Sequence, residues 1–173
     1  MIILFLMKSC NTHMVHMKLV LVLELTQMPQ KDILVFGIIS LIKKIEHIGI
    51  LVKDINSSNE IFNKILGKKF YKKEKVESEN VLTSFFQIDK TKIELIKSYN
   101  KNDSLEKFLK KRGEGIHHVA LLVDDIYSEI KRIKNEGIRF INEHPKKGAD
   151  NKLICFLHPK DTNGVLIELC QEI

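Results

Sequence analysis

A chain of 173 residues, 44% hydrophobic and 29% charged, fits one globular domain with an adequate core and leaves little room for a second. Its formal charge of +6 could attract nucleic acid, an anionic membrane or a phosphorylated small molecule. The lysines are scattered, however, as in Lys68-Lys69, Lys110-Lys111-Arg112 and Lys146-Lys147. They lack the aromatic interleaving or fold motif of a nucleic-acid binder, so no nucleic-acid partner is expected.

Residues 1 to about 40 differ from the rest of the chain, with apolar stretches at Met1 to Met7, Leu19 to Leu25 and Ile33 to Ile42 broken by polar residues. None reaches the roughly 18 to 20 residues needed to span a bilayer, so no membrane partner is expected. A basic n-region and a small-residue cleavage site are missing, which argues against a secretory signal. Residues 1–40 are therefore treated as an extension of unread role ahead of a domain at 45–173. Cys10, Cys155 and Cys170 show no CxxC or zinc-finger spacing and are too few for a disulfide scaffold, which favours a reducing compartment. Cys155 and Cys170 read as ordinary strand residues.

From Ile45 onward the sequence contains one pattern twice. The first copy opens Glu46-His47-Ile48-Gly49-Ile50-Leu51-Val52-Lys53-Asp54-Ile55, the second His117-His118-Val119-Ala120-Leu121-Leu122-Val123-Asp124-Asp125-Ile126. In each, Asp-Ile begins seven positions after a His; a Gly follows at Gly67 and Gly137; and an Ile-Glu-Leu triplet closes the copy at Ile93-Glu94-Leu95 and Ile167-Glu168-Leu169. Four features in the same order indicate a duplicated module, spanning about 45–100 and 115–173.

Each module reads as strand, helix, then three strands. Ile48 to Val52 opens the first as a short buried strand. Ile61, Phe62, Ile65 and Leu66 then recur at helical spacing, with Asn56, Ser57 and Ser58 as candidate caps and Gly67 as the stop. Strands come next at Phe70 to Glu74, Leu82 to Ile88 and Lys92 to Lys97. Ser104 to Arg112, closed by Gly113, reads as a linking helix with Leu105, Phe108 and Leu109 facing inward. In the second module Val119 to Val123 is the opening strand, and Ile126, Ile130 and Ile133 mark the helix. Ile138 to Asn142, Leu153 to Leu157 and Val165 to Cys170 are the closing strands. The fold class is α+β: two tandem βαβββ modules forming a curved mixed sheet around a metal site.

Side chains alternate faces along a strand, so a His on an opening strand and a Glu on a closing strand can both point into the concavity of one curved sheet. Duplication supplies two of each: His47, Glu94, His118 and Glu168. Any one of them alone would more often be a surface or satisfied core residue. Their recurrence at matched positions favours the chemical reading. Two imidazoles and two carboxylates suit a divalent metal such as Co, Ni, Mn or Zn, held between the modules with positions open for substrate oxygens. His13, His16, His144 and His158 have no repeat partner, and repeat alignment selects His118 over His117, which aligns with Glu46.

The strings Ile45-Glu46-His47-Ile48-Gly49-Ile50, Arg112-Gly113-Glu114-Gly115-Ile116-His117-His118-Val119-Ala120 and Phe156-Leu157-His158-Pro159-Lys160-Asp161-Thr162-Asn163-Gly164-Val165-Leu166-Ile167-Glu168-Leu169 resemble the methylmalonyl-CoA epimerases of the vicinal oxygen chelate superfamily. The resemblance runs from about Ile45 to the C-terminus. It implies a metal-dependent epimerase that interconverts the 2R and 2S forms of methylmalonyl-CoA by C2 proton abstraction through a metal-stabilised enolate. It also implies a CoA-thioester substrate, a homodimer, and a cytoplasmic location, or the mitochondrial matrix in a eukaryote. The family's metal ligands fall on His47, Glu94, His118 and Glu168. Glu168 is the first candidate acid/base and Glu94 the fallback for the second, because Thr83 stands where some members carry a further Glu. Lys160 is a candidate for holding the acyl group or a CoA phosphate. Alternatives on the same fold are a glyoxalase I-type lyase, which usually needs arginines where this domain has only Arg112, Arg132 and Arg139, and a metal-free small-molecule binding module. A ring-cleaving dioxygenase would use iron with three protein ligands, which a fourth carboxylate disfavours.

Overall fold

The computed structural model describes residues 42–100 and 104–173. The expectations for residues 1–40, Cys10 among them, lie outside the described residues. The first module runs β1 (Lys44–Leu51), α1 (Ile55–Leu66), β2 (Lys72–Val76), β3 (Val81–Ile88) and β4 (Thr91–Ser98). After the linking helix α2 (Ser104–Arg112) the second runs β5 (Gly115–Leu122), α3 (Ile126–Asn135), β6 (Lys146–Lys147), β7 (Lys152–Phe156) and β8 (Ile167–Glu172). The strands form one mixed sheet in the order β2-β3-β4-β1-β5-β8-β7-β6, curled into a half-barrel. Each module pairs its first strand with its last in parallel, β1 with β4 and β5 with β8. The modules join where β1 and β5 run antiparallel.

Both module helices start on an aspartate. Asp54 accepts from the backbone N–H groups of Asn56 and Ser57, and Asp125 from those of Tyr127 and Ser128. The cap of α1 is therefore Asp54 rather than Asn56, Ser57 or Ser58, because the extended backbone at Asp54 aims its carboxylate at the free N–H groups of the first turn. Gly67 ends α1 in the left-handed region at φ 64°.

The helices cover one face of the sheet. Ile126, Ile130 and Ile133 pack with Val123, Cys155, Leu157 and Leu169 under α3, while Ile55, Phe62 and Leu66 pack with Val52, Phe86 and Leu95 under α1. Each such Leu or Ile contributes roughly 1.5–3 kcal/mol when fully buried. Ile61 and Ile65 are exposed, so the inward stripe of α1 is narrower than the apolar spacing suggests, and its remaining inward positions are polar: buried Asn59 accepts from Ser84 Oγ at 2.7 Å. Because strand faces alternate, burying Leu95 and Leu169 under the helices turns Glu94 and Glu168 to the opposite, concave face. There α2 lays Leu105, Phe108 and Leu109 against Leu51, Val76, Val81 and Ile96.

One expected strand is displaced. Ile138 to Asn142 has the alternation of a strand, and Ile138 and Phe140 do pack into the core, but only Phe140 makes a bridge, to Leu157. The ladder on β7 is made instead by Lys146 and Lys147, opposite Ile154 and Leu153. Cys155 and Cys170 are buried free thiols on β7 and β8. Among the described residues no helix is long and apolar enough to cross a membrane.

Candidate metal centre and active-site cavity

Gly49 lies on β1, the seam strand between β4 and β5. In register it faces Glu94 on β4 and His118 on β5, while His47, two residues earlier on β1, faces Ala120, which in turn faces Glu168 on β8. Small residues at 49 and 120 leave space for the larger side chains beside them. A Cβ on Gly49 would lie 2.3 Å from Cε1 of His118.

Into that space the four repeat-matched side chains converge. Nε2 of His47 and Nε2 of His118 are 2.8 Å apart. Oε2 of Glu94 lies 3.3 Å from the former and 3.6 Å from the latter, and the carboxylate oxygens of Glu168 lie 3.8 Å and 3.7 Å from them. All four side chains are buried. Donor atoms of His47, His118 and Glu168 lie within 4.8 Å of one another. Two imidazole nitrogens aimed at each other, flanked by carboxylates and shut away from water, fit a divalent first-row cation, which would satisfy all four groups at once.

Without a cation the cluster shares protons. Burial opposes a charge on His47, yet its hydrogen bonds to Glu46 and Glu94 and the charges of Glu94 and Glu168 prevail and raise it to about 10. Burial, then the charge on His47, drives His118 well below the ordinary histidine value. Burial pushes the Glu168 carboxyl up; His47 opposes this, Glu94, Glu46 and Glu79 add to it, and the value reaches about 8.

The site continues outward from its histidines. Glu46 is fully buried and bonds His47 Nδ1 at 2.6 Å; its other oxygen meets Nζ of Lys92 at 2.5 Å and of Lys152 at 3.4 Å. Burial would raise this carboxyl, but those hydrogen bonds and charges outweigh it and bring it down to about 2. His117 Nδ1 lies 3.0 Å from His118 Nδ1, and the His117 ring packs edge-on to Phe108; burial lowers it to about 4.

These groups line a cavity of about 1040 Å³ whose walls include Phe85, Ile96, Leu105, Phe108 and Phe156. Lys160, on a short helical turn at Pro159–Asp161, is exposed and lines it too, as do Arg112 and Lys146. Thr83 also faces the cavity. Sequence reasoning misses Glu79, which ends the 3-10 turn Glu77–Glu79 ahead of β3, lines the same cavity and holds a buried Oε1 2.6 Å from Lys146 Nζ. A signal for it exists: it is an acid on the turn just ahead of the strand that leads toward Glu94. Glu46 and His117 give none, since an alternating strand would point them away from their neighbours.

The family model of the Glyoxalase/Bleomycin resistance protein/Dioxygenase superfamily matches residues 46–156. The chain is 37% identical over 129 residues to the mitochondrial methylmalonyl-CoA epimerase of Dictyostelium discoideum, covering 74% of this chain and 78% of the relative. It is 34% identical over 133 residues to the ethylmalonyl-CoA/methylmalonyl-CoA epimerase of Cereibacter sphaeroides, covering 76% and 99%. Among solved structures, a variant of the Streptomyces coelicolor methylmalonyl-CoA epimerase in complex with 2-nitronate-propionyl-CoA matches with a TM-score of 0.74 at 29% identity, over 76% of this chain and 96% of that one.

Proposed function

The chain belongs to the glyoxalase/bleomycin resistance protein/dioxygenase superfamily and, within it, to the methylmalonyl-CoA epimerases, and from that premise we propose that it interconverts 2R- and 2S-methylmalonyl-CoA at a divalent metal held by His47, Glu94, His118 and Glu168. The observation that carries this reading is the convergence of those four buried side chains, two from each module, on the wall of a cavity large enough for a thioester acyl group. When bound, the ion supplies Lewis acidity toward the oxygens flanking C2, where negative charge develops as the proton leaves.

The chain's own residues do the rest. Glu168 carries the proton on one side of C2, its buried carboxylate facing the cavity beside the other three ligands. Epimerisation requires a second group, and we assign Glu79, which lines the same cavity from the first module, ahead of Glu94, which we keep as a ligand. Phe85, Ile96, Phe108 and Phe156 exclude water from the reacting carbon. Lys160 offers an ammonium to the substrate carboxylate or a CoA phosphate. We also infer a homodimer in the cytoplasm, or in the mitochondrial matrix of a eukaryote. Arg112 is the arginine of the cavity wall, which gives a glutathione adduct little to bind and leaves the lyase reading second.

The test is C2 exchange of methylmalonyl-CoA in deuterated water. Metal-loaded protein is expected to incorporate deuterium rapidly, and chelation or Glu168→Ala to abolish it. Glu79→Gln should stop interconversion of the epimers while leaving exchange into one of them. Absence of exchange in protein carrying one bound metal would overturn the epimerase assignment and move the test to glutathione hemithioacetals; tight substrate binding without turnover would indicate a binding module.

A further inference from the structure

In a regular strand, consecutive side chains point to opposite faces. Glu46 should therefore point away from His47, and His117 away from His118. Neither does. The ladder between β1 and β5 slips twice: Ile45 faces Leu121 while His47 faces Ala120, and Gly49 faces His118 while Ile50 faces Ile116. Glu46 is the extra residue in one strand and His117 the extra residue in the other, each a bulge that turns two consecutive side chains inward. Both then bond the neighbour's Nδ1, Glu46 at 2.6 Å and His117 at 3.0 Å.

Resting on the metal reading above, we propose that Glu46 and His117 are paired positioning residues: each module bulges its opening strand so that the residue before the histidine holds that ring's proton on Nδ1 and leaves Nε2 to donate its electron pair. A ring bonded at one nitrogen is fixed in tautomer and in orientation, which raises its quality as a ligand. The two modules reach this with different chemistry. Glu46 is itself clamped by Lys92 of β4 and Lys152 of β7, one lysine from each module, so its oxygen toward His47 cannot swing away. His117 is held by edge-on contact with Phe108 of α2.

Cobalt(II) binding to the full chain tests this without reference to turnover. Affinity is read by competition with a chelator and ligand geometry by the visible spectrum, for wild type, Glu46→Leu, His117→Phe and His117→Asn. All are measured at a temperature where far-UV circular dichroism shows the metal-free protein folded. Glu46→Leu and His117→Phe, which carry no acceptor, are each expected to weaken binding about 10- to 100-fold and to alter the spectrum. His117→Asn, whose amide oxygen can accept the Nδ1 proton of His118, should recover most of the loss. Wild-type affinity in the folded Glu46→Leu and His117→Phe proteins would overturn the proposal, as would a loss in His117→Phe that His117→Asn does not reverse. Should Glu46→Leu fail to fold, the His117 pair decides. If wild type itself binds no cobalt, the metal reading falls together with this one; if it binds and the variants match it, only this one falls.

Discussion

A methyl group at position 49 would collide with three atoms of the His118 ring, at 2.3, 2.6 and 2.7 Å. That ring is buried and bonded on both sides, so it has nowhere to retreat. Gly49→Ala is expected to destabilise the protein by about 1–3 kcal/mol, as overpacking does, and to weaken metal binding by moving His118. Thermal unfolding and cobalt titration check the two effects separately. The titration of Glu168 gives a second expectation at this scale. Its carboxyl rises from an ordinary 4.5 to about 8 on folding without metal, so the folded state holds a proton that the unfolded chain has released between those values. The stability this provides is complete below pH 4.5 and is lost as pH rises through about 8. Metal-free wild type should therefore lose stability relative to Glu168→Gln over that window, seen as a falling difference in melting temperature. Metal affinity should climb over the same window, because a cation must displace that proton.

Among the elements, the Asp-Ile pair that comes seven positions after each histidine turns out to be helix chemistry. Asp54 and Asp125 cap α1 and α3 through paired backbone bonds of 3.1 and 3.0 Å in one and 3.0 and 3.3 Å in the other. Asp54→Ala and Asp125→Ala should each lower the melting temperature by a few degrees and leave cobalt affinity unchanged, since neither aspartate lines the cavity. The repeat makes the strands, the helices and the four converging side chains legible, because periodicity and burial act through local spacing. The bulges at Glu46 and His117 are not legible, because an extra residue in a ladder is defined by its partner strand. The strand expected at 138–142 fails for a related reason. Its alternation is genuine and buries Ile138 and Phe140, but whether an alternating segment joins a ladder depends on the edge it meets.

Across the whole molecule, duplication predicts two modules but not which edges meet. β1 and β5 form the seam, which leaves β2 and β6 as the outer edges of the half-barrel. Those edges are tied back to each other by contacts far apart in sequence, centred on Asp150 in the turn between β6 and β7. Its backbone N–H donates to Glu74 Oε2 at 3.0 Å, and its carboxylate accepts from Lys72 at 3.1 Å and from Lys92 at 2.7 Å. Lys146 pairs with Glu79 at 2.6 Å nearby, and Ser78 Oγ donates to the Lys147 carbonyl at 3.3 Å. Asp150 thus joins the outer edge of the first module to Lys92, and through Lys92 to Glu46 and His47. Replacing it leaves Lys92 with a single carboxylate and the edges with fewer ties. After allowing for solvent around the partly exposed Asp150 carboxylate, Asp150→Asn is expected to destabilise the fold by about 1 kcal/mol. The effect should shrink in high salt, because the outer pair with Lys72 is open to screening while the inner pair with Lys92 is less so. Urea unfolding of wild type and Asp150→Asn at low and high ionic strength measures both; equal stability at low salt would mean that the edge ties do not hold the half-barrel closed.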